Sequence, residues 1–355
     1  MAEVIKPALG FLRNVRPKDK VAIIFGHDAD TVCSAAIMYK LLKKRGAKPV
    51  LVGSEENFTI TKKTIAAVKK LKPSHIILVD IGDVSMQLMD ELAKIGYVLN
   101  IDHHMPKAYT GIVYVNPRLS DKHAYIPATY LCYKIYEKFF NADEIQWIAG
   151  IGNLGDHAVT NCRDLFEKIK SDMPELIGDA ELVDEALFDN SVLGKLTKMI
   201  DSARVVVGSK GSMKAVQVLL GAKKYSNVLE NVQLKRWNKV SEAEFKRILA
   251  DFWKTKRAMN GVVFYQIRSK YNFKSALAGY LQQFFEDKIL AIGQKEGRML
   301  DISLRRGTSV DTDLAELAIR IVADIPGSRG GGHEAASAVR MPAGKVSKLL
   351  EILNE

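Results

Sequence analysis

The chain is organised around the segment Gly96-Tyr97-Val98-Leu99-Asn100-Ile101-Asp102-His103-His104. Its apolar residues predict a buried β-strand, and an acid with two imidazoles follows where the strand ends. Carboxylate oxygens and neutral imidazole nitrogens both suit manganese, iron or zinc, and open parallel sheets place their chemistry at the carboxyl ends of the strands. An isolated Asp-His-His is more typical of a solvated turn. A metal site therefore requires further carboxylates at matching positions.

The composition is that of an ordinary globular protein. Hydrophobic residues make up 47% and charged residues 26% of 355 residues, a length that predicts two or three domains. No apolar run reaches the ~20 residues that a transmembrane helix needs, so no membrane association is expected. The first residues lack the features of a signal peptide, and we expect a cytoplasmic protein. The scattered Cys33, Cys132 and Cys162 are expected to be buried thiols rather than disulfides or zinc ligands.

The charge balance is basic. Lys and Arg outnumber Asp and Glu by 52 to 41, which gives a net charge of +11 and an isoelectric point near 9.3. Such a surplus favours a polyanionic partner, because each phosphate that Lys or Arg neutralises releases counterions. Many lysines occur in helix-like segments, as in Lys62-Lys63 and Lys69-Lys70, where a solvated face is an adequate alternative. Charge alone leaves nucleic acid binding open.

Strands and helices alternate in the first part of the chain. Strands are predicted at 21–25, 49–53, 75–80 and 97–101, and helices at 31–44, 61–71 and 85–94. This alternation predicts a parallel sheet with right-handed crossovers. Further helices are predicted at 127–140 and 143–150, the second leading into the glycine-bracketed turn Gly152-Asn-Leu-Gly-Asp156.

The pattern changes further along the chain. Charged helical segments dominate from 164 to 258, and strand character returns at 261–267 and 299–305, with helices near 274–286, 311–323 and 344–353. The predicted fold class is α/β, with an N-terminal parallel-sheet domain and a smaller C-terminal α/β domain. The predicted domains are 1–165 for metal binding and catalysis, 166–258 as a helical connector, and 259–355 for substrate binding.

Acidic residues recur where predicted elements end. Asp28 and Asp30 follow the first strand, Asp80 ends the third, Asp102-His103-His104 ends the fourth, and Asp156 follows a helix. The carboxyl ends of parallel strands share one edge of the sheet, so these groups can converge. Packed together they would raise one another's pKa unless cations neutralised them, and two divalent ions about 3.5–4 Å apart would do so. The alternative for each acid is that it caps the next helix.

These residues also carry a family resemblance. Four segments resemble, in order, the successive motifs of the DHH phosphoesterases: His27-Asp28-Ala29-Asp30, Val79-Asp80-Ile81-Gly82-Asp83, Asp102-His103-His104 and Gly155-Asp156. Near the C-terminus, Ser328-Arg-Gly-Gly-Gly-His333-Glu-Ala-Ala-Ser337 resembles the glycine-rich motif of the DHHA1 domain, and Ile302-Ser303-Leu304-Arg305 resembles its characteristic strand. The chain is thereby identified as a member of the DHH/DHHA1 family, and it resembles the RecJ-like branch of short archaeal single-strand exonucleases.

The resemblance implies a hydrolase of phosphodiester or phosphoanhydride bonds that uses two divalent ions in a cleft between two domains. Manganese is the expected metal, with Mg²⁺ and Co²⁺ as alternatives. By motif position, Asp28 and Asp30 would be metal ligands, Asp80 would bridge the ions, and His103 and Asp156 would complete the set. Asp102 and His104 would support these ligands, and Asp80, Asp102, His103 and His104 are the expected catalytic residues.

The glycine-rich segment has a physical interpretation of its own. Glycines allow the backbone to approach a phosphate and to present its amides, and Arg and His add donors. The expected substrate-binding residues are Arg305, Arg329, Gly330, Gly331, Gly332 and His333. A flexible surface turn is the alternative, which explains the glycines but not the flanking Arg and His.

The first motif departs from the RecJ-like pattern. Relatives of that branch usually carry His or Asp two residues before the first acid, where this chain has Gly26. In an extended segment residues 26, 28 and 30 face one side and His27 faces the other. Either His27 reaches the metal through an irregular loop, or one site lacks a ligand and binds more weakly. A degenerate, non-catalytic member is the third possibility.

The leading functional hypothesis is an exonuclease that degrades single-stranded DNA or RNA, with 3′→5′ as the favoured polarity. One alternative is an oligoribonuclease that also dephosphorylates 3′-phosphoadenosine phosphate. Another is a non-catalytic replication or repair subunit that uses the same fold to hold single strands or a partner protein. The expected partners are therefore single-stranded nucleic acid and a replication or repair protein.

Overall fold

The structure is a computed structural model that describes residues 1–56 and 59–354, with only the backbone of His333. The chain divides into two compact units, Met1–Asn238 and Lys239–Glu355. The predicted partition into 1–165, 166–258 and 259–355 stays a prediction about domains. The part of the predicted connector that precedes residue 239 belongs to the first unit.

A five-stranded parallel sheet forms the centre of the first unit. Its strands are β1 (Lys20–Phe25), β2 (Lys48–Gly53), β3 (His75–Val79), β4 (Tyr97–Ile101) and β5 (Val113–Val115). Their spatial order is β2-β1-β3-β4-β5, and all neighbouring pairs are parallel. All of β3, and β1 apart from its first residue, are buried, as expected of apolar strands covered on both faces. The predicted parallel sheet is confirmed, and β5 is an addition that the sequence analysis missed.

Helices cover both faces of this sheet and extend the unit beyond it. In chain order they are α1 (Ala2–Asn14), α2 (Ala29–Lys44), α3 (Lys62–Leu71), α4 (Met86–Ala93), α5 (Ala128–Glu137), α6 (Gln146–Gly155), α7 (Arg163–Asp172), α8 (Pro174–Ile177), α9 (Asp184–Asn190), α10 (Val192–Val207), α11 (Ser209–Gly221) and α12 (Tyr225–Leu229). The next helix, α13 (Val232–Thr255), begins in this unit and continues into the second. Leu165, Ile200 and Leu219 belong to the same core as the sheet residues Ile23 and Ile77. The predicted helical character of residues 164–258 is confirmed, and the first helices of this segment pack in the same core as the sheet.

The helix that precedes Asp156 is longer than predicted. The predicted helix ends at residue 150 and is followed by a turn at 152–156, but α6 continues to Gly155 and Asp156 is its C-cap. A Cβ on Gly152 would lie 2.3 Å from Thr129 Oγ1, and one on Gly155 would lie 2.6 Å from Ala29 Cβ. These glycines are therefore close-packing positions inside a helix, which local composition does not distinguish from a turn.

A mixed six-stranded sheet organises the second unit. Its strands are β6 (Arg257–Met259), β7 (Val262–Ile267), β8 (Ile289–Glu296), β9 (Met299–Arg306), β10 (Arg329–His333) and β11 (Ala336–Pro342), in the order β10-β11-β9-β8-β7-β6. Only β7 and β8 are parallel among these pairs. Its helices are α14 (Lys274–Gln282), α15 (Leu314–Asp324) and α16 (Val346–Asn354). The predicted α/β fold class is confirmed, and the glycine-rich segment is strand β10 rather than a flexible turn.

Two further expectations can be compared with the structure. Cys33, Cys132 and Cys162 are buried and free, as predicted. Over the part of the chain that the structure describes, no helix combines the length and apolarity needed to cross a bilayer.

Candidate metal centre

Strand register brings the acidic motifs to one edge of the first sheet. Val79 at the end of β3 pairs with Phe25 on one side and with Ile101 on the other. The residues that follow these three strands therefore leave the sheet at the same level. Asp80 has a positive φ of 55°, a conformation that Asp tolerates better than most residues, and its amide donates to the Ile101 carbonyl.

One imidazole nitrogen lies among three carboxylates. His103 Nε2 is 3.4 Å from Asp80 Oδ1, 3.5 Å from Asp156 Oδ2 and 3.9 Å from Asp30 Oδ2. These acids come from the β3 end, the C-cap of α6 and the first turn of α2. Asp30, Asp80 and His103 are buried. The tertiary fold has therefore gathered residues that are far apart in sequence.

Within the described residues, two sets of three side chains have the spacing of metal ligands. Asp80, His103 and His104 form one set, and Asp30, His103 and Asp156 form the other, with ligand atoms within 4.8 Å of one another. Asp80 Oδ1, Asp156 Oδ2 and His103 Nδ1 are buried without a hydrogen-bond partner in the described chain. Such atoms cost about 1–3 kcal/mol each when unsatisfied, and metal coordination would satisfy oxygen and nitrogen donors of this kind. The residues fit a divalent cation.

The pKa values of these acids show the electrostatic problem that a cation would solve. Burial, followed by the charge of Asp156, raises the pKa of Asp30 to about 7. Burial and the charge of Asp30 raise the pKa of Asp80 well above its usual value, and burial also raises the pKa of Asp156. A bound divalent ion supplies a larger local charge than any neighbouring side chain and would return these groups to the carboxylate form.

Asp102 differs from the other acids because it is fully paired. It accepts hydrogen bonds from His104 Nδ1 at 2.7 Å, from Tyr114 Oη at 3.1 Å and from Asn116 Nδ2 at 3.3 Å. Burial raises the pKa of Asp102, but the His104 hydrogen bond and nearby imidazoles outweigh it and the pKa is lowered. Burial lowers the pKa of His104, but its bond with Asp102 and the charge of Asp80 raise it to about 9. Asp102 therefore orients His104, consistent with its predicted supporting role.

The start of α5 holds Asp30 in place. The amides of Ala128 and Thr129 donate to the two carboxylate oxygens of Asp30, at 3.0 and 2.7 Å. Thr129 Oγ1 also donates to the Asp30 carbonyl at 2.7 Å. Two free backbone donors at a helix N-terminus favour a carboxylate, which fixes the Asp30 side chain beside His103.

Several residues that shape this centre are not among those predicted from the sequence. Tyr125 donates to the Asp156 carbonyl at 2.9 Å, and its ring packs edge-on against His103 at 5.5 Å. Tyr114 and Asn116 contact Asp102, as described above. Tyr114 lies in the three-residue strand β5 and Asn116 follows it, and so short a strand gives no clear periodic signal.

Asp28 and His27 are not in either three-residue set. Asp28 is the N-cap of α2, and its Oδ1 accepts from the Thr31 amide at 3.1 Å. His27 Nε2 lies 2.9 Å from the Ser54 carbonyl, which can only accept, so this nitrogen carries the proton. The Gly26 amide donates to Thr31 Oγ1. The metal-binding roles of Asp28 and His27 stay predictions.

The predicted substrate-binding residues lie on two strands of the second sheet, Arg305 on β9 and residues 329–333 on β10. Cross-strand pairing places His333, Ala336 and Arg305 in one row. Arg329 lies four residues before His333 in β10, at a position of the same face, and pairs with Arg340. Burial lowers the pKa of Arg305, which donates to the Leu304 carbonyl at 2.9 Å. The side chain of His333 lies outside the described residues, so its predicted role stays a prediction.

The three glycines of β10 differ in what surrounds them. A Cβ on Gly330 would meet the Ala338 carbonyl at 2.7 Å, and Gly332 has a φ of +155° with the Ser337 backbone 2.4 Å from its Cβ position. These two are required by the hairpin. A Cβ on Gly331 would meet nothing within 4 Å, so this glycine leaves open space beside the strand.

Comparison with known families identifies the chain. The DHH family, N-terminal domain, matches residues 20–152, and the DHHA1 domain matches residues 261–355. The protein belongs to the DHH/DHHA1 family and has a DHH phosphoesterase fold of the RecJ-like type. A comparison with curated proteins gives no significant sequence match.

Solved structures share the fold at low sequence identity. RecJ from Thermus thermophilus in complex with Mn²⁺ has a TM-score of 0.74 and 15% identity, and the match covers 99% of this chain and 54% of that one. An exonuclease RecJ bound to manganese has a TM-score of 0.71 and 16% identity, covering 99% and 93%. CDC45 from Entamoeba histolytica has a TM-score of 0.55 and 9% identity, covering 98% and 96%. This chain thus spans about half the length of the Thermus protein.

Proposed function

We propose that the protein is a divalent-metal-dependent phosphodiesterase that removes nucleotides from an end of single-stranded DNA or RNA. The observation that carries this proposal is the pair of three-residue sets that share His103, with buried and unpaired donor atoms on Asp80 and Asp156. The RecJ structures bound to manganese share the fold that positions these residues and support Mn²⁺ as the ion. We favour 3′→5′ digestion as the working hypothesis.

The residues of the centre have two kinds of role, as metal ligands and as groups that orient the ligands. We assign the sets Asp80-His103-His104 and Asp30-His103-Asp156 as the source of the ligands for two ions, with Asp28 as a further ligand. His103 Nε2 has a single lone pair and would bind only one of the ions. When bound, the ions would activate a water and stabilise the charge that develops on the phosphate. Asp102 holds the His104 ring, and the α5 amides hold Asp30, so both ligand sets are oriented before substrate binds.

The second unit supplies features that suit a phosphate chain. Arg305 is half-buried, its pKa is lowered by burial, and no ion pair of the described residues includes it. An anionic ligand would stabilise such a guanidinium through charge-assisted hydrogen bonds. The open space beside Gly331 would admit a phosphate next to the backbone. Together with the net charge of +11, these features favour a polyanionic strand over a small monoester.

One experiment separates three functions, two catalytic and one non-catalytic. The protein is incubated with Mn²⁺ and a long single strand labelled at either end, and separately with dinucleotides and 3′-phosphoadenosine phosphate. A ladder from the long strand is the expected result, and comparison of the two labels gives the polarity. Turnover of the small substrates alone would replace the proposal with the oligoribonuclease and phosphatase activity. Tight strand binding without any turnover would identify a non-catalytic subunit instead.

A further inference from the structure

Arg118 lies beside the Asp-His-His segment and is absent from the motifs that identified the family. It belongs to a 3-10 turn, Pro117–Leu119, directly after β5. Asn116 Oδ1 accepts a hydrogen bond from the Arg118 amide at 2.9 Å. The same Asn116 side chain donates to Asp102 Oδ2 at 3.3 Å and to the His104 carbonyl at 2.9 Å. The backbone of Arg118 is therefore fixed to the metal centre through one side chain.

The guanidinium of Arg118 lacks a strong acceptor. Its Nη1 approaches Met105 Sδ at 3.3 Å, and a thioether is a weak acceptor. Its Nε is buried and has no hydrogen-bond partner within the described chain. No ion pair among the described residues includes Arg118, whereas Arg204, for comparison, pairs with Asp201. A half-buried guanidinium with five donors and no carboxylate beside it is suited to a phosphate.

The neighbours of Arg118 add apolar surface. Met105, whose Sδ contacts the guanidinium, is 51% exposed. Leu119, the residue that follows Arg118 in sequence, is 58% exposed. The nearby Lys107, in contrast, is paired with Asp83 at 2.5 Å. A nucleotide has a phosphate for the guanidinium and a sugar and base for the apolar side chains.

We propose that Arg118, flanked by Met105 and Leu119, binds the phosphodiester next to the one held at the metal centre. This inference rests on the proposed function, because it assigns the chemical class of substrate as a polynucleotide strand. The planar fork of the Arg118 guanidinium can hold two phosphate oxygens at once. It sets the position of the strand and does not touch the bond that is hydrolysed.

Binding of a strand without turnover tests this role. The full chain, in Ca²⁺ instead of Mn²⁺, is titrated against a fluorescent single strand of about ten nucleotides, and anisotropy is followed over a range of salt concentrations. R118A is expected to weaken binding about tenfold and to lower the salt slope by about one phosphate contact. R118K, which keeps the charge but loses the fork, should lie between R118A and the wild type. R163A is the matched control, because Arg163 is an exposed arginine on α7 that pairs with Glu167.

The outcomes separate this inference from the proposed hydrolysis. Wild-type affinity and salt slope in R118A would overturn it, even if the wild type degrades strands. Weakened binding by R118A would support it, even if the wild type hydrolyses nothing and the proposed activity fails. If R118A does not fold, as judged by thermal melting, R118M keeps the length of the side chain without its charge and is expected to show the same loss. A wild type that binds no strand would overturn both proposals.

Discussion

The Nδ1 atom of His104 lies 2.7 Å from Oδ1 of Asp102, in a carboxylate–imidazole pair at the end of β4. Asp102 is completely buried, and its other oxygen accepts from Tyr114 and Asn116. His104 Nδ1 also lies 3.6 Å from Asp80 Oδ1, so the pair connects the interior of the sheet to the metal-ligand cluster. One of the two motif histidines thus has its ring fixed by the acid that precedes it.

Replacement of Asp102 should weaken metal binding without removing a ligand. D102N keeps the shape of the side chain but removes the charge that raises the pKa of His104 and orients its ring. We expect the Mn²⁺ affinity to fall about 10- to 100-fold, as is typical when the partner of a ligating histidine is lost. Isothermal titration with Mn²⁺ measures this. D121N, at an acid of an exposed loop, is the control, and an unchanged affinity in D102N would contradict the assigned role.

Loss of a ligand should abolish hydrolysis. D80A and H103A each remove a donor from one or both three-residue sets, so we expect activity at least about 10³-fold below wild type for both variants, since metal-assisted activation of water depends on them. Rates with a labelled single strand measure the effect. If both variants kept wild-type rates, the metal centre would be wrongly placed.

The carboxyl group of Asp80 should lower the stability of the metal-free protein. Asp80 is buried with an unpaired oxygen and a strongly raised pKa. D80N removes this charge, so the metal-free variant should melt above the metal-free wild type by several degrees. Added Mn²⁺ should raise the melting temperature of the wild type and have little effect on D80N. Equal melting temperatures of the two metal-free proteins would show that the Asp80 carboxyl group does not destabilise the metal-free fold.

Stability of the metal-free protein should fall as pH rises. Folding raises the pKa of Asp30 from 3.8 to about 7, so the folded state favours the protonated acid. Its stabilising contribution is complete below pH 3.8 and is lost as the pH rises through about 7. Melting temperatures of the metal-free wild type and D30N are compared at pH 5 and pH 8. The fall in melting temperature between these two pH values should be smaller in D30N than in the wild type. Because metals bind carboxylates, the shift caused by Mn²⁺ should be larger at pH 8.

Gly82 should be essential for the position of His104. A Cβ at residue 82 would lie 2.5 Å from His104 Cβ and 2.9 Å from His104 Nδ1, so the ring must move. We expect G82A to lose at least about tenfold in activity, since small displacements of catalytic groups are costly. G10A is the matched control, because a Cβ there meets nothing and α1 should become slightly more stable. Full activity in G82A would mean that His104 tolerates displacement.

The sequence by itself determined the elements of the first unit. Continuous apolar runs such as Val21–Phe25 and Ile76–Val79 are typical of buried strands between helices, and the order of strands and helices then predicts a parallel sheet. It also identified the candidate ligands, because Asp30, Asp80 and His103 follow elements whose ends meet at one edge. Local patterns of this kind are readable because burial and periodicity act within a few residues.

Only the tertiary structure decided how these candidates are used. It showed that the amides of α5 hold Asp30, that Asp30 and Asp156 lie beside His103, and that Tyr125 packs on His103. Contacts between residues tens of positions apart leave no local signal, and the same holds for Gly152, whose neighbour Thr129 lies on another helix. The acids near the strand ends were thus visible in the sequence, whereas their charges, partners and distances depend on packing across the whole unit.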